Sequence, residues 1–326
     1  MNPFSYVRPN SLKAAIEAMA RDHSARFIAG GTNLLDLMKN GVALPEKLID
    51  INQLPLREIR QDGNTLHIGA LVLNSDLAAH DLVKTQHPLL SEALLAGASQ
   101  QLRNMATVGG NMMQRTRCSY FYDTSMPCNK RQPNSGCGAT GGINRMHAIF
   151  GASDNCIAVH PSDMCVALAA LDATVLVAGP KGERRIPFTD FHRLPGNTPQ
   201  LDNNLAKNEL ITAVEIPPHP FTKHTCYLKV RDRASYAFAL VSVAVAMDIS
   251  DNVIRNVRIA MGGVAHKPWR LPDAEKALTG KTPTSDNFRL AANIAIQGAK
   301  TYAHNGFKKE LAFNSIQTAL LKAATA

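Results

Sequence analysis

The sequence has no long apolar run. Its 326 residues contain no span of about 18 or more apolar residues, the length that crosses a bilayer, so we expect no membrane span. The first residues, from Met1 to Tyr6, lack the basic region and the apolar core of a secretory signal. The chain is therefore expected to carry no export signal of its own.

Runs of basic residues are also absent, although the formal net charge is +9. The 35 Lys and Arg residues are scattered, and no cluster of them resembles a nucleic-acid-binding arm. We therefore expect no nucleic-acid partner. An acidic partner subunit or an anionic cofactor accounts for the excess positive charge.

Cysteine is scarce, and a common nucleotide-binding motif is missing. Six cysteines are too few for a disulfide scaffold in a chain of this length. No G-x-G-x-x-G is present, which argues against a Rossmann dinucleotide site. A hydrophobic content of 45% with 19% charged residues is ordinary for a globular protein with a large core, and the length suits two or three domains.

Two glycine turns are the first positive feature. A predicted strand over 25–29 ends in Gly30-Gly31-Thr32-Asn33, and residues 34–39 then have a helical pattern. A second turn, Gly109-Gly110-Asn111, follows a helical stretch over 89–98 and a short extended piece. Glycine lets backbone N–H groups approach a phosphate, and a helix start offers unpaired amides. A single pair is usually only a tight turn, but the two together predict an anion site.

Four of the six cysteines lie in one irregular stretch with the spacing C-x9-C-x8-C-x18-C, namely Cys118, Cys128, Cys137 and Cys156. Clustered thiolates are ligands for iron–sulfur clusters and for zinc. Structural zinc sites usually have paired C-x2-4-C spacing, which is absent here, and two disulfides are a further alternative. Arg115, Arg117, Lys130 and Arg131 surround the cysteines, either to offset the charge of a cluster or as solvated loop residues.

Three other residues near or beyond this stretch have simpler interpretations. Cys165 falls in an apolar helix pattern and Cys226 in a strand pattern, so both are expected to be buried small hydrophobes. His160 is expected to be a loop residue that forms hydrogen bonds.

The remaining pattern predicts three segments. Helices are expected after the N-cap Ser11, from residue 164, and over 273–278, 286–301 and 315–323. Strands are expected at 47–51, 65–70, 174–178, 183–186, 209–216, 225–230, 240–249 and 257–262. Residues 194–208 are expected to be a loop. Pro217-Pro218-His219-Pro220 is the strongest domain boundary. The predicted domains are 1–58, 59–219 with a Cys-rich insertion at 115–160, and 220–326, the last with α+β architecture.

Four motifs in this order resemble one protein family. They are Phe27-Ile28-Ala29-Gly30-Gly31-Thr32-Asn33-Leu34, then Ala106-Thr107-Val108-Gly109-Gly110-Asn111, the strand over 209–217, and Tyr227-Leu228-Lys229-Val230-Arg231-Asp232-Arg233. Together they resemble the FAD-binding medium subunits of the molybdenum hydroxylases, the xanthine dehydrogenase and carbon monoxide dehydrogenase family. The resemblance is closest to the flavin subunits of bacterial periplasmic aldehyde oxidoreductases.

The resemblance implies a fold and a flavin site. The fold is α+β: a vanillyl-alcohol-oxidase-type (PCMH-type) FAD-binding unit of two α/β subdomains, followed by a C-terminal α+β domain with an antiparallel sheet and helices on one face. FAD is implied to lie between the subdomains, with its pyrophosphate on the two glycine loops. The implied contacts are Phe27, Ile28, Ala29, Gly30, Gly31, Thr32, Asn33, Leu34, Thr107, Val108, Gly109, Gly110, Asn111, Gln114, Asp163, Ile211 and Lys229. For Asp163 an alternative is the N-cap of the helix that starts at Met164.

The resemblance also implies a second cofactor and partners. Members with an insertion after the second glycine loop are expected to hold a [4Fe–4S] cluster, and Cys118, Cys128, Cys137 and Cys156 are the implied ligands. A large subunit with the molybdenum cofactor would oxidise an aldehyde, a small [2Fe–2S] subunit would relay the electrons, and FAD would pass them to an external acceptor. The cluster is either a structural staple, which we favour, or a relay step.

The resemblance leaves alternatives for function and location. The chain could serve another molybdenum hydroxylase, of the xanthine dehydrogenase or hydroxybenzoyl-CoA reductase type, or be a flavin-free structural subunit. Periplasmic location is implied, through co-export with a partner that carries a signal, and a cytoplasmic location is the alternative.

Overall fold

The N-terminal segment forms a small parallel sheet in the computed structural model, which describes all 326 residues. Its elements are β1 (Ser5–Val7), α1 (Leu12–Ala20), β2 (Ala25–Ile28), α2 (Leu34–Lys39) and β3 (Lys47–Asp50), with strand order β1-β3-β2. As predicted, Ser11 caps α1, and its Oγ accepts a hydrogen bond from Ala14 N. The predicted β2, α2 and β3 are confirmed, whereas the exposed strand β1 was not predicted.

The middle segment is built on a five-stranded antiparallel sheet. Its strands, in the order β4-β5-β8-β6-β7, are β4 (Ile59–Asp62), β5 (Thr65–Gly69), β6 (Thr174–Gly179), β7 (Gly182–Pro187) and β8 (Leu210–Ile216). The helices are α3 (Asn74–Ala79), α4 (Asp81–Gln86), α5 (Pro88–Ala96), α6 (Gln100–Arg103), α7 (Val108–Met112), α8 (Ser119–Tyr122), α9 (Gly138–Gly141), α10 (Asp163–Ala170) and α11 (Phe188–Phe191). The fully buried α10 lies in the largest apolar core of the molecule.

The C-terminal segment is an antiparallel sheet covered by helices. Strands β9 (Thr225–Val230), β10 (Val241–Ser250), β11 (Val253–Gly262) and β12 (Trp269–Arg270) are ordered β12-β11-β10-β9, and α12 (Pro272–Leu278), α13 (Ser285–Ala295) and α14 (Phe307–Thr325) follow. Val243 and Val245 pack against these helices, whereas Ala244 and Ala246 face the core of the middle segment. The period-2 alternation along β10 therefore joins the two segments.

Three predicted boundaries were wrong. Residues 108–112 form the short helix α7 rather than only a turn. Helix α13 ends at Ala295 instead of continuing to residue 301, because Gly298 adopts a left-handed φ of 75° just beyond it. Helix α14 begins at Phe307, eight residues before the predicted start. The first turn of α14 was missed because the buried position 308 is occupied by Lys308, which interrupts the helical spacing of apolar residues.

None of the helices combines the length and the apolar character that a bilayer crossing requires.

Candidate functional site

A cavity of about 1100 Å³ lies where the two glycine loops meet strand β9. Gly30 and Gly31 contribute from the first loop, Gly110 from the second, and Lys229 from β9. The volume is slightly above the usual range of about 300–1,000 Å³ for small-molecule sites, which suits a ligand as large as a dinucleotide.

The first glycine loop presents a row of free amides to this cavity. None of the backbone N–H groups of residues 30–34 donates to another backbone group of the chain. Gly31 has a φ of 71°, which glycine adopts without strain, and this conformation turns the chain into α2. A Cβ on Gly30 would lie 1.8 Å from Met105 O, so glycine is required for the contact with the chain preceding the second loop. Successive free amides of this kind bind anions.

The second glycine loop uses its amides internally. Val108 N donates to Val72 O at 2.9 Å and Gly109 N to Ala70 O at 2.8 Å, while Gly110 N donates to Thr107 Oγ1 at 3.2 Å and Asn111 N to Thr107 O at 2.8 Å. Thr107 is the N-cap of α7. This loop therefore forms a fixed wall of the cavity rather than a second row of free donors.

Most of the predicted flavin contacts line the cavity. These residues are Phe27, Ile28, Ala29, Gly30, Gly31, Thr32, Asn33, Leu34, Thr107, Gly110, Asn111, Gln114, Asp163 and Lys229. Val108, Gly109 and Ile211 lie behind the wall: Val108 and Ile211 are in the apolar core, and Gly109 packs on Ala70. Their roles as flavin contacts stay predictions.

Asp163 and Lys229 form a buried ion pair at the cavity. Lys229 Nζ donates to Asp163 Oδ2 at 2.8 Å and to Ala96 O at 3.0 Å, and Tyr227 Oη donates to Asp163 Oδ1 at 2.8 Å. Burial and the adjacent Asp163 raise the pKa of Tyr227 well above its usual value. The N-cap alternative for Asp163 is wrong, because Ser162 is the N-cap of α10 and accepts from Cys165 N at 3.1 Å.

Cations outnumber carboxylates around the cavity. Seven cations line it, against four aspartates; the cations are Arg26, Arg103, Arg115, Arg117, Arg131, Lys229 and Arg233. Burial lowers the pKa of Arg26 and of Arg117, as expected for guanidinium groups drawn out of water. Arg26 and Arg103 were not predicted, because they belong to no motif and no basic run, and Arg233 was quoted in the fourth motif but not predicted as a cavity residue.

The four clustered cysteines meet at one small enclosed space. Cys118, Cys128, Cys137 and Cys156 all line it. Cys128 and Cys137 are joined by an isolated antiparallel bridge, and a second bridge pairs Ser153 with Cys156. These bridges bring residues that are distant in sequence to one point.

The thiols lie in a desolvated environment with a buried cation. Burial raises the pKa of Cys118 to about 12 and that of Cys156 to about 11, and Lys130 opposes the second shift. Lys130 is only 2% exposed, donates to Pro199 O at 2.8 Å and pairs with Asp202. The alternative that it is a solvated loop charge is therefore wrong. Arg115 also donates to Asp202, at 2.7 Å.

One histidine reaches this group. His147 Nε2 lies 3.1 Å from Cys118 Sγ, and the ring is buried. Burial, with a smaller contribution from Lys308, lowers the pKa of His147 to about 4.

The sulfur positions distinguish between the possible ligands. All six cysteines are free thiols, so neither proposed disulfide is formed in this structure. Three or more Cys, His, Asp or Glu ligand atoms lie within 4.8 Å of one another only at His160, Cys165 and His192. Four sulfurs around a tetrahedral zinc ion at about 2.3 Å would lie roughly 3.8 Å apart. The cysteine cluster is too open for a single ion of this size.

The group of His160, Cys165 and His192 has too few free lone pairs for a metal. Ser162 N donates to His160 Nδ1 at 3.4 Å, so the other ring nitrogen of the neutral imidazole carries the proton. His192 donates through Nε2 to Met112 O at 2.9 Å. Burial lowers the pKa of His160 well below its usual value and that of His192 to about 4. Cys165 is fully buried, as predicted, and Cys226 lies partly buried in β9.

The Cys-rich insertion is attached directly to the first glycine loop. Arg115 N donates to Asn33 Oδ1 at 2.9 Å, and Tyr122 Oη donates to Asp36 Oδ2 at 2.9 Å. Leu37 of α2 packs in one small core with Phe121 and Cys128. The cysteine site and the cavity therefore share the helix that follows the free amides.

Two family descriptions match successive parts of the chain. Residues 2–219 match the FAD binding domain in molybdopterin dehydrogenase, and residues 226–323 match the CO dehydrogenase flavoprotein C-terminal domain. The chain belongs to the FAD-binding medium subunits of the molybdenum hydroxylases. The predicted family and the α+β fold are thereby confirmed, and the chain is a component of an oxidoreductase.

Similar subunits match over almost the whole chain. It is 49% identical over 325 residues to the aldehyde oxidoreductase FAD-binding subunit PaoB of Escherichia coli strain K12, covering 99% of both chains. It is 32% identical to the glyceraldehyde dehydrogenase medium chain of Sulfolobus acidocaldarius, covering 93% of this chain and 91% of that relative. A solved carbon monoxide dehydrogenase from Hydrogenophaga pseudoflava matches with a TM-score of 0.78 and 28% identity, covering 99% of this chain and 98% of the other.

The cavity fits the FAD that this medium subunit binds. A diphosphate needs many N–H donors, and residues 30–34 offer five consecutive free amides. The excess of arginine around the cavity complements its negative charge. The membership therefore confirms FAD as a cofactor, and the geometry shows which loop can hold its phosphates.

Proposed function

We propose that this chain is the FAD and [4Fe–4S] subunit of a molybdenum-dependent aldehyde oxidoreductase. In this proposal, a large subunit with the molybdenum cofactor and a small [2Fe–2S] subunit supply electrons, and this chain passes them to an external acceptor. A [2Fe–2S] cluster delivers one electron at a time, and FAD would take up two such electrons in turn and release them singly or in pairs. The convergence of four cysteines beside the flavin loop carries the proposal.

An aldehyde substrate is supported by the similar proteins. The relatives at 49% and 32% identity are named as subunits of an aldehyde oxidoreductase and a glyceraldehyde dehydrogenase. The FAD cavity of this chain is lined by no histidine, cysteine or glutamate. Three of its four aspartates are in ion pairs and Asp36 accepts a hydrogen bond from Tyr122 Oη, so no free carboxylate is available as a general base. This favours substrate oxidation in a partner subunit.

A [4Fe–4S] cluster is supported by the chemistry of the cysteine site. Four thiols match the requirement of one cysteine ligand per iron. Their spread is too wide for one zinc ion, and no disulfide competes for them. The buried Lys130 lines the cysteine site and opposes the rise that burial causes in the pKa of Cys156, so it would offset part of the negative charge that four thiolates bring into a buried site.

A structural role for the cluster is favoured over a relay. The insertion contacts Asn33 and Asp36, so an ordered cluster would fix the helix that follows the free amides. The relay alternative rests on Cys118, which lines both the cysteine site and a cleft of about 290 Å³ that it shares with Asp163. A cluster-free variant that still reduces the acceptor at full rate would support the structural role of the cluster. Loss of flavin reduction while FAD stays bound would reject the structural role and support the relay.

The decisive experiment is cofactor analysis of anaerobically purified protein. We expect one FAD and about four irons and four acid-labile sulfides per chain, the content of one cubane cluster. Cys137→Ser should lose the iron, whereas the matched control Cys226→Ser, in β9, should retain it. Flavin without iron in the wild type, or unchanged iron in Cys137→Ser, would overturn the cluster. Absence of both cofactors would favour a flavin-free structural subunit.

We also propose that the chain reaches the periplasm folded, together with a partner that carries an export signal. The resemblance to periplasmic aldehyde oxidoreductases supports this location. Fractionation of cells that express all subunits should place the chain in the periplasm. Recovery only from the cytoplasm would contradict co-export and support the cytoplasmic alternative.

A further inference from the structure

His147 provides the only side-chain N–H close to any of the four clustered sulfurs. Its Nε2 lies 3.1 Å from Cys118 Sγ, and no side-chain donor lies within hydrogen-bond distance of Cys128, Cys137 or Cys156. His147 is only 5% exposed, so water does not compete strongly for this contact. Cys118 therefore differs chemically from the other three cysteines.

The position of His147 is fixed from the C-terminal segment. Lys308 Nζ, fully buried at the start of α14, donates to His147 O at 2.9 Å and to Gly263 O at 2.6 Å. Asn305 Nδ2 donates to His147 O at 3.3 Å and to Ala148 O at 3.2 Å. His147 Nδ1 is buried without a partner. The Asn144 carbonyl lies near the ring but accepts no hydrogen bond from it, so the contact with Cys118 is the only side-chain hydrogen bond of His147.

The direction of this hydrogen bond follows from the state of the sulfur. A cysteine that binds iron is a thiolate and has no hydrogen to donate. His147 Nε2 must then carry the proton and donate it toward Cys118 Sγ. Such a bond withdraws negative charge from the sulfur and favours the more negative, reduced cluster, and hydrogen bonds to sulfur are among the factors that set cluster potentials.

We infer that His147 raises the reduction potential of the cluster through a hydrogen bond to Cys118. This inference rests on the cluster in the proposed function and goes beyond it by assigning a residue that tunes the potential. His147 and Cys118 both line the cleft that also contains Asp163. The hydrogen bond therefore lies on the side of the cysteine site that faces this cleft.

The test compares variants of the full chain by redox titration of the cluster, followed by EPR. His147→Phe removes the N–H and should shift the midpoint potential to a more negative value. A tenfold change in the equilibrium constant for reduction corresponds to about 59 mV for one electron. His147→Gln keeps an amide N–H of similar reach and should recover part of the shift. His87→Phe is the matched control, since His87 is buried and pairs with His219 Nε2 at 2.8 Å.

The outcomes separate this inference from the proposed function. No iron in the wild type would reject the cluster itself. Four irons in both wild type and His147→Phe, with equal potentials, would overturn the role of His147 and leave the cluster standing. If His147→Phe does not retain iron, pulsed EPR of wild-type protein with ¹⁵N-labelled histidine decides. A ¹⁵N coupling to the reduced cluster supports the contact, and its absence overturns it.

Discussion

The two glycine loops have nearly the same residues but differ in how their amides are used. Residues 30–34 leave five backbone N–H groups without a backbone acceptor, whereas Val108, Gly109 and Asn111 all donate within the protein. The first loop is thus a binding element and the second a supporting wall. A glycine pair in a sequence shows that two chains approach closely, but the hydrogen-bond pattern decides whether the loop can hold an anion.

The largest effect is expected from Gly30→Ala, which tests the contact between the loops. The new Cβ would lie 1.8 Å from Met105 O, a distance that only backbone movement can relieve. We expect a loss of about 3 kcal/mol in the free energy of unfolding, together with purified protein that lacks FAD. Gly306→Ala is the control, because no atom lies within 4 Å of its Cβ position. Normal FAD content in Gly30→Ala would show that FAD binding does not depend on the close contact between the two loops.

Acidification should weaken the supporting wall through His192, which donates to Met112 O at the end of α7. Burial lowers the pKa of His192 from 6.5 to about 4, so the unfolded chain binds more protons between these values. Stability should therefore fall as the pH drops from 6.5 to 4, by about 3 kcal/mol for this residue.

Urea unfolding at pH 7 and pH 4.5 measures this contribution. His192→Gln keeps a donor for Met112 O but does not titrate, so its stability should decline less with acid than that of the wild type. An equal decrease in the free energy of unfolding of the two proteins would show that His192 does not account for the acid sensitivity of the second loop.

A smaller effect is expected from Gly31→Ala, which perturbs the binding loop without a backbone clash. Its φ of 71° costs a non-glycine residue about 1–2 kcal/mol. We expect that loss of stability and FAD binding about tenfold weaker, equivalent to about 1.4 kcal/mol. Gly298→Ala is matched, with a φ of 75° and no atom within 4 Å of its Cβ position, and should lose stability alone. Equal FAD affinity in both variants would show that the first loop tolerates distortion.

The smallest effect is expected from Thr107→Val, which removes the N-cap of α7 but keeps the side-chain shape. The free energy of unfolding should fall by about 1 kcal/mol. FAD affinity should be unchanged, because Thr107 Oγ1 accepts a hydrogen bond from Gly110 N within the protein. Thr284→Val removes the N-cap of α13 and provides the control. Weaker FAD binding in Thr107→Val only would assign a ligand contact to the second loop.

Elements with strong local patterns were predicted well. Strand β10 has a long apolar run and β11 an apolar C-terminal half, and both were found within a few residues. The left-handed Asp251 and Asn252 close their hairpin. The exposed β1 and β4 were missed because neither has an apolar face to give a period-2 signal. The start of α14 was missed because Lys308 is buried by tertiary hydrogen bonds to carbonyl groups.

The binding site was predicted in part for the same reason. The first glycine loop and Lys229 lie in motifs, Asp163 was implied by the family resemblance, and all of them line the cavity. Arg26 and Arg103 have no local signature, because only the fold brings them to the cavity. The contact of His147 with Cys118 joins residues 29 positions apart in an irregular loop, so no periodicity could reveal it.

The attachment of His147 to α14 also sets an order of events during synthesis. Lys308 lies 161 positions after His147, and Gly263 O, its other acceptor, is also far downstream. The loop that carries His147 can therefore take its final place only after most of this chain has left the ribosome. The environment of Cys118 is completed only after Lys308 has been synthesised, so a cofactor delivered there would meet a chain whose C-terminal segment is already in place.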